Sequence, residues 1–517
     1  MKKIALYIIS AILLSLGPTA CGDKWLGGTE PTSFLTEEQT WNDNVLIQGV
    51  LANLYNAVTS NGSLESDANM SLFDDLMWCG LMNNDVESAR NRLTAYGYDQ
   101  FRYYDYTHIY RLNDAIEQLQ KSKLAASEVA VYDAEFRFLR AYAYFQMCIR
   151  MGGVPLVLKT SVYTSGMDVT ELQEPRASEA EVYEFVYNEC MAIKETLAAN
   201  NAAVGRANKY AALALASRAM LYAGSIKKYN ALMANPITSP LQNGVVGMTT
   251  GKDASEYYRL ALSAAEEIIN DGVFKLMNVE TNDETGDGFY NAICDKSGNT
   301  EVIWCKDYSA AKFHNFAFAN VAQSMNEDND NGSELCPTLQ LVESYKRLDG
   351  SNARLADKDA AGNYIAYDNV GDIFEGRDYR LRGTAILPGQ TFKGKQLDVQ
   401  AGVALWQADG TYILEKGSAA GSLYEDGKEW VGFDGPINDR CRTNTGFNLR
   451  KYVDQGAGTS ARGQGSYIWW VYFRMGEVYL NAAEAAMELG QTDRPSSMST
   501  RSASAPASEP TPGPLPT

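Results

Sequence analysis

The stretch RFLRAYAYFQMCIRMGGVPLV, Arg137 to Val157, decides how the rest of the chain is read. Phe136, Leu139, Ala143, Gln146 and Arg150 fall on one face of a helix, and Tyr142, Phe145 and Ile149 on an adjacent one. Two apolar faces require neighbours on both sides, so Phe136, Phe138, Tyr142, Tyr144 and Phe145 are expected between helices rather than against a ligand. Gly152-Gly153 then breaks the helix and lets the chain turn away before Pro155.

Helical periodicity continues outward from this segment. Residues 41–60, 103–120 and 128–151 read as helices, and 178–271 supplies three more. In GRANKYAALALASRAMLYAG (Gly205 to Gly224), Tyr210, Leu213, Ala214, Ser217, Met220 and Leu221 follow the i, i+3, i+4, i+7 rule. YYRLALSAAEEIINDG (from Tyr257) and YFRMGEVYLNAAEAAMELG (from Tyr472) share its grammar: an early Tyr, a run of Ala, a closing Gly. Small residues at this spacing let antiparallel helices stack closely, as in tetratricopeptide pairs, although the strict period of a tandem array is absent. Between Gly272 and Tyr467 the texture changes to Gly, Asn and Asp punctuation with short apolar runs such as Val302–Trp304 and Ala385–Leu387. The expected fold is therefore mainly α, with helical pairs and an irregular, loop-rich lobe large enough to hold a ligand.

Charge and the first residues narrow the setting. The 517 residues carry a net charge of −19 and no run of Lys or Arg, which excludes nucleic acid as a partner. A neutral sugar is not repelled by such a surface; a polyanion is, unless folding assembles a local basic patch. Lys2 and Lys3 precede an apolar run from Ile4 to Leu16, about 20 Å as a helix against the roughly 30 Å of a bilayer core, so residues 1–20 read as an export signal. Cys21 follows Thr19-Ala20 as the expected lipidation site, residues 21–40 form a tether, and the Ser/Ala/Pro-rich 491–517 reads as a disordered tail. The other seven cysteines show no C-x-x-C spacing and define neither a zinc site nor a disulfide framework.

Chemistry for catalysis is sparse. The two histidines, His108 and His314, are far apart, and no phosphate-binding glycine loop occurs. Glu266-Glu267 reads as a solvated face, since adjacent helical residues diverge and a glycosidase needs two convergent carboxyls. Asn326 to Glu334, NEDNDNGSE, reads as a polar loop, with a structural calcium as the alternative and no other cofactor expected. Aromatics are the informative residues, because sugar rings stack on Trp and Tyr while their hydroxyls bond to Asn, Asp and Arg. On that ground the candidate ligand residues are Trp78, Asn83, Asp85, Arg90, Tyr96 and Tyr98 in one segment, and Trp304 and Tyr308, with nearby Phe313, in the lobe.

The opening stretch, with its Arg-x-Leu-Arg-Ala-aromatic start and Gly-x-Val-Pro-Leu end, resembles the hallmark of the SusD/RagB family of Bacteroidetes outer-membrane lipoproteins. Further matches run in order through PRASEAEVYEFVYNEC, the two Ala-rich helices, PTLQLVESY, Asp349-Gly350, RDYR at Arg377 and YFRMGEVYLNAAEAAMELG. The resemblance implies one SusD-like domain over residues 41–490, with an N-terminal part to about 230 and a second part from about 250. It also implies a non-enzymatic lipoprotein that faces the exterior, captures glycan and caps a SusC-like TonB-dependent transporter. Other readings are a peptide-binding member of the family, a helical-repeat adaptor and, last, a glycoside hydrolase. Family members continue past AEAAMELG with a partner helix, whereas this chain turns into its tail. A truncated or frameshifted second part is therefore expected, with Tyr479, Ala483 and Met487 lacking a partner helix and a destabilised fold.

Overall fold

The computed structural model describes residues 35–58, 63–65, 75–79, 103–277, 283–352, 354–435 and 441–491. The export signal, Cys21, the tail beyond 491, and the candidates Asn83, Asp85, Arg90, Tyr96 and Tyr98 lie outside them.

Among the described residues a short helix at Glu37–Trp41 and six longer ones build the first half: α1 (Asn44–Asn56), α2 (Tyr106–Leu119), α3 (Ala126–Met151), α4 (Glu179–Leu197), α5 (Lys209–Leu232) and α6 (Ala254–Asp271). Local sequence sets their starts. The Asp43 carboxylate accepts the backbone N–H groups of Val45 and Leu46, Ser178 and Glu181 form a reciprocal capping box, and Asn208 caps α5. From α2 to α6 each helix packs on the next, and α6 also receives α7 (Met475–Glu488) from the far end of the chain. The mainly helical architecture is thus as expected. No helix among the described residues is long and apolar enough to cross a membrane.

Helix α3 sits at the centre of this stack. Phe136, Phe138, Tyr142, Tyr144 and Phe145 are all buried, as their two-faced pattern requires. The Arg137 and Arg140 guanidiniums share the Glu189 carboxylate of α4, at 2.7 and 3.1 Å, and Arg140 also donates to Asn113 of α2. The Gly-Gly break has a second cause besides helix termination. Gly152 adopts φ +71°, and a Cβ there would lie 2.3 Å from the Val245 carbonyl; one on Gly153 would lie 2.0 Å from that of Ala177. Both positions are fixed by backbone crowding.

The lobe between α6 and α7 is tied together by short antiparallel pairs: β1 (Leu76–Trp78) with β3 (Leu335–Pro337), β2 (Val302–Lys306) with β6 (Trp470–Arg474), and the hairpin β4–β5 (Gly402–Trp406, Tyr412–Lys416). Tyr472 and Phe473, placed by periodicity at the head of the last helix, belong instead to β6. Pairing with β2 overrides the helical spacing, and the aromatic run favours a strand. Helix α7 buries Val478, Ala482, Ala483, Ala485 and Ala486, and Tyr479 packs against the core. Of the face expected to stand open, Met487 remains exposed. Glu267 is not simply solvated: Lys194 and Lys209 clasp it, joining α4, α5 and α6.

Helix α3 meets the β2–β6 pair through Phe138, whose ring stands edge-on to Trp304 at 5.0 Å. Phe138→Ala should lower the unfolding free energy by about 3–5 kcal/mol, read from urea denaturation. A loss below about 1 kcal/mol would show that this contact is not part of the core.

Candidate functional site

A cavity of about 450 Å³ opens at the seam between α1 and the β2–β6 pair. Gln48, Leu51, Ala52, Tyr55 and Asn56 of α1 form one wall, Gly205 and Arg206 close one end, and Trp304 to Asp307, Lys312 and Tyr472 form the other wall. Strand β2 is the reason these groups converge, since its inward face reaches the aromatic core while its C-terminal end emerges at the cavity.

Trp304 is 1% exposed. Tyr472 lies against its ring at 4.2 Å and 30°, Phe473 stacks at 5.9 Å, and Phe138 and Tyr142 meet it edge-on. No open ring face remains for a sugar, so the stacking role expected of Trp304 is replaced by a core role. Its indole N–H, however, is sealed from solvent and meets no acceptor among the described residues. Tyr308 is likewise buried, edge-on to His314 at 4.7 Å, and presents no free face. Trp78 is half-buried in β1, packs on the core of the lobe, and does not line the cavity.

The polar groups of the cavity are held by neighbours. Tyr55 donates to Glu135 at 2.7 Å and accepts the Ala207 N–H; burial, then the Glu135 carboxylate, push its hydroxyl well above the usual tyrosine range. Arg206 pairs with the same Glu135. Lys306 and Lys312 both reach Glu65, at 2.8 and 3.4 Å, and Lys312 also donates to the Asn56 side-chain oxygen. Burial opposes ionisation of Glu65, but the two lysines outweigh it and hold the carboxyl below its ordinary range.

Beside Lys312 the chain pairs with a second segment through the His314–Ser466 bridge. That register sets Phe313 opposite Tyr467 on the solvent side, 39% and 47% exposed, while His314 and Ser466 point inward. Phe313 thus stands exposed directly after the cavity-lining lysine, its ring over Gly465, and Tyr467 is exposed on the paired segment. Phe313 was legible as an aromatic of the lobe; Tyr467 was not, because nothing local marks it as its partner. A second exposed aromatic surface lies on the β4–β5 hairpin. Trp406, 65% exposed, pairs across strands with Tyr412 at 5.1 Å, and Tyr364 lies 6.3 Å from Tyr412. Asp409-Gly410 between GVALW and YILEK is the local signal that marks this hairpin.

The acidic loop from Asn326 is closed by its own neighbours. Glu327 takes Lys393 and the Ser460 hydroxyl and N–H, and Asp330 takes Arg462. Among the described residues no cluster of acidic, His or Cys side chains is arranged to hold a metal ion.

Comparison with known families gives two matches. A family model described as "Starch-binding associating with outer membrane" matches residues 24–221, and one described as "SusD family" matches residues 300–500. The chain belongs to the SusD family. Among solved structures, a SusD-like protein from Bacteroides fragilis superposes with a TM-score of 0.65 at 22% identity, over 94% of this chain and 83% of that one. A SusD-like carbohydrate-binding protein from the same organism gives 0.56 at 18% identity, over 90% and 80%. Surface glycan-binding protein A from Bacteroides uniformis gives 0.55 at 15% identity, over 90% and 81%. At these identities the likeness establishes a shared fold. No curated protein matches the sequence. The description of the model that matches residues 24–221 carries association with the outer membrane.

His314 anchors the Phe313–Tyr467 rim. One ring nitrogen, Nε2, donates to the Ile468 carbonyl at 2.9 Å, which leaves Nδ1 to accept the Phe316 N–H at 3.3 Å. Burial holds the ring neutral and lowers its pKa from 6.5 to about 4. The unfolded chain binds more protons between those values, so this contribution is intact above pH 6.5 and is lost as pH falls towards 4. His314→Gln should flatten stability against pH across that window, where the parent loses up to about 1.4 kcal/mol per unit from this group. Parallel pH profiles for parent and variant in chemical denaturation would contradict the assignment.

Proposed function

We propose that this SusD-family protein is a lipid-anchored, outward-facing glycan-binding protein that captures oligosaccharide at the outer membrane and caps a SusC-like TonB-dependent transporter. The observation that carries the reading is the seam cavity, whose lining residue Lys312 is followed directly by the exposed Phe313, on a fold shared with carbohydrate-binding proteins. Aromatic faces beside amide, hydroxyl and charged groups suit a pyranose, whose C–H face stacks while its hydroxyls bond. Cys21 would carry the acyl chains, and residues 21–40 would space the domain from the membrane.

A binding role without turnover is consistent with the site. Its carboxylates, Glu65, Glu135 and Asp307, are each engaged by a lysine or arginine and so are poorly placed to act as a general acid. Trp78 and the segment after it remain proposed ligand residues on the strength of their composition.

Calorimetric titration with a glycan panel tests this. Phe313→Ala and Tyr467→Ala should each weaken capture by about fivefold, near 1 kcal/mol, and the glycan should be recovered intact. A TonB-dependent transporter should co-purify from membranes. Unchanged affinity in both variants, or release of new reducing ends, would overturn the reading.

A further inference from the structure

We propose that the seam cavity selects glycans that carry a uronic acid, with the sugar carboxylate seated among Lys306, Lys312 and Arg206. The inference rests on the glycan-binding reading above and adds the class of sugar.

The charge count at the cavity supports it. Arg206, Lys306 and Lys312 line the space, and Asp307 is the acidic residue among the lining groups. Each neighbouring carboxylate is already committed: Glu135 to Arg206, Glu65 to both Lys306 and Lys312, and Asp307 to Lys296 at 2.5 Å. Among the described residues the cavity lining thus holds three cations and one carboxylate, in a chain whose net charge is −19. Lys312 holds the looser share of Glu65, at 3.4 Å, and its side chain is 52% exposed, so the most weakly paired of the three lies at the mouth beside Phe313. One bound carboxylate pairs with it.

The aromatic rim suits a ring, the weakly paired cation suits one carboxylate, and a uronic acid carries both on one residue. The local basic patch that a linear reading could not detect is formed by residues far apart in sequence: Arg206 on the turn before α5, Lys306 at the end of β2, and Lys312 in the turn that follows.

The test compares trigalacturonic and triglucuronic acids with their carboxyl-reduced neutral counterparts, and with a tripeptide bearing a free C-terminal carboxylate, by calorimetry at two salt concentrations. At least one uronate should bind about fivefold or more tighter than its reduced form, with affinity falling as salt rises. Lys312→Met should remove that preference. Glu65→Gln, which frees both lysines, should increase it. Equal binding of acidic and reduced sugars, or a preference that neither variant alters, overturns the inference while leaving glycan capture standing. Binding of the tripeptide alone, or of no sugar at all, overturns the glycan-binding reading and the inference with it.

Discussion

The fold depends on the aromatic junction at Trp304. This one indole touches Phe138 and Tyr142 of α3 and Tyr472 and Phe473 of β6, so it joins the helical stack to the lobe. Arg218 of α5 closes the cluster from the far side, with its guanidinium 4.1 Å above Phe473 and a 2.5 Å pair to Glu477 at the start of α7. Aromatic pairs of this kind add about 0.5–1.5 kcal/mol each beyond simple burial, and a close-packed cluster fixes relative positions tightly. Because β6 runs straight into α7, the junction also determines where the last helix docks on α6.

The cavity follows from that arrangement. Strand β2 buries Val302 to Cys305 and then delivers Lys306 and Asp307 to its open end. Helix α1 supplies the opposite wall, and Tyr55 fastens it to the scaffold through Glu135 and the Ala207 N–H. The site is thus carried by regular elements, with Lys312 at the end of the turn at 309–312 and Tyr467 on the segment that pairs with His314. That division, a rigid scaffold with chemistry on its connections, lets one fold serve many ligands.

Much of the architecture was legible in the sequence because helical periodicity is local. The two-faced pattern of α3 foretold burial of all five aromatics, and the Ala-rich stripes of α5 and α6 foretold close neighbours. Tyr472 and Phe473 misled for the complementary reason: their strand state is set by β2, more than 160 residues away. The site was less legible. Trp304 and Tyr308 were singled out as aromatics, but composition does not say which face of a ring is covered. Phe313 and Tyr467 become a pair only through the His314–Ser466 register, and the basic cluster only through the packing of α5 beside β2. Long-range pairing carries that information, and no local motif reports it.

The most direct measurement is a crystal structure of the protein with a bound uronate trisaccharide. The account predicts ligand density in the seam cavity, with a sugar ring against Phe313 and Tyr467 and its carboxylate within hydrogen-bond distance of Lys312. Density confined to the Trp406 hairpin, with the seam cavity empty, would contradict it.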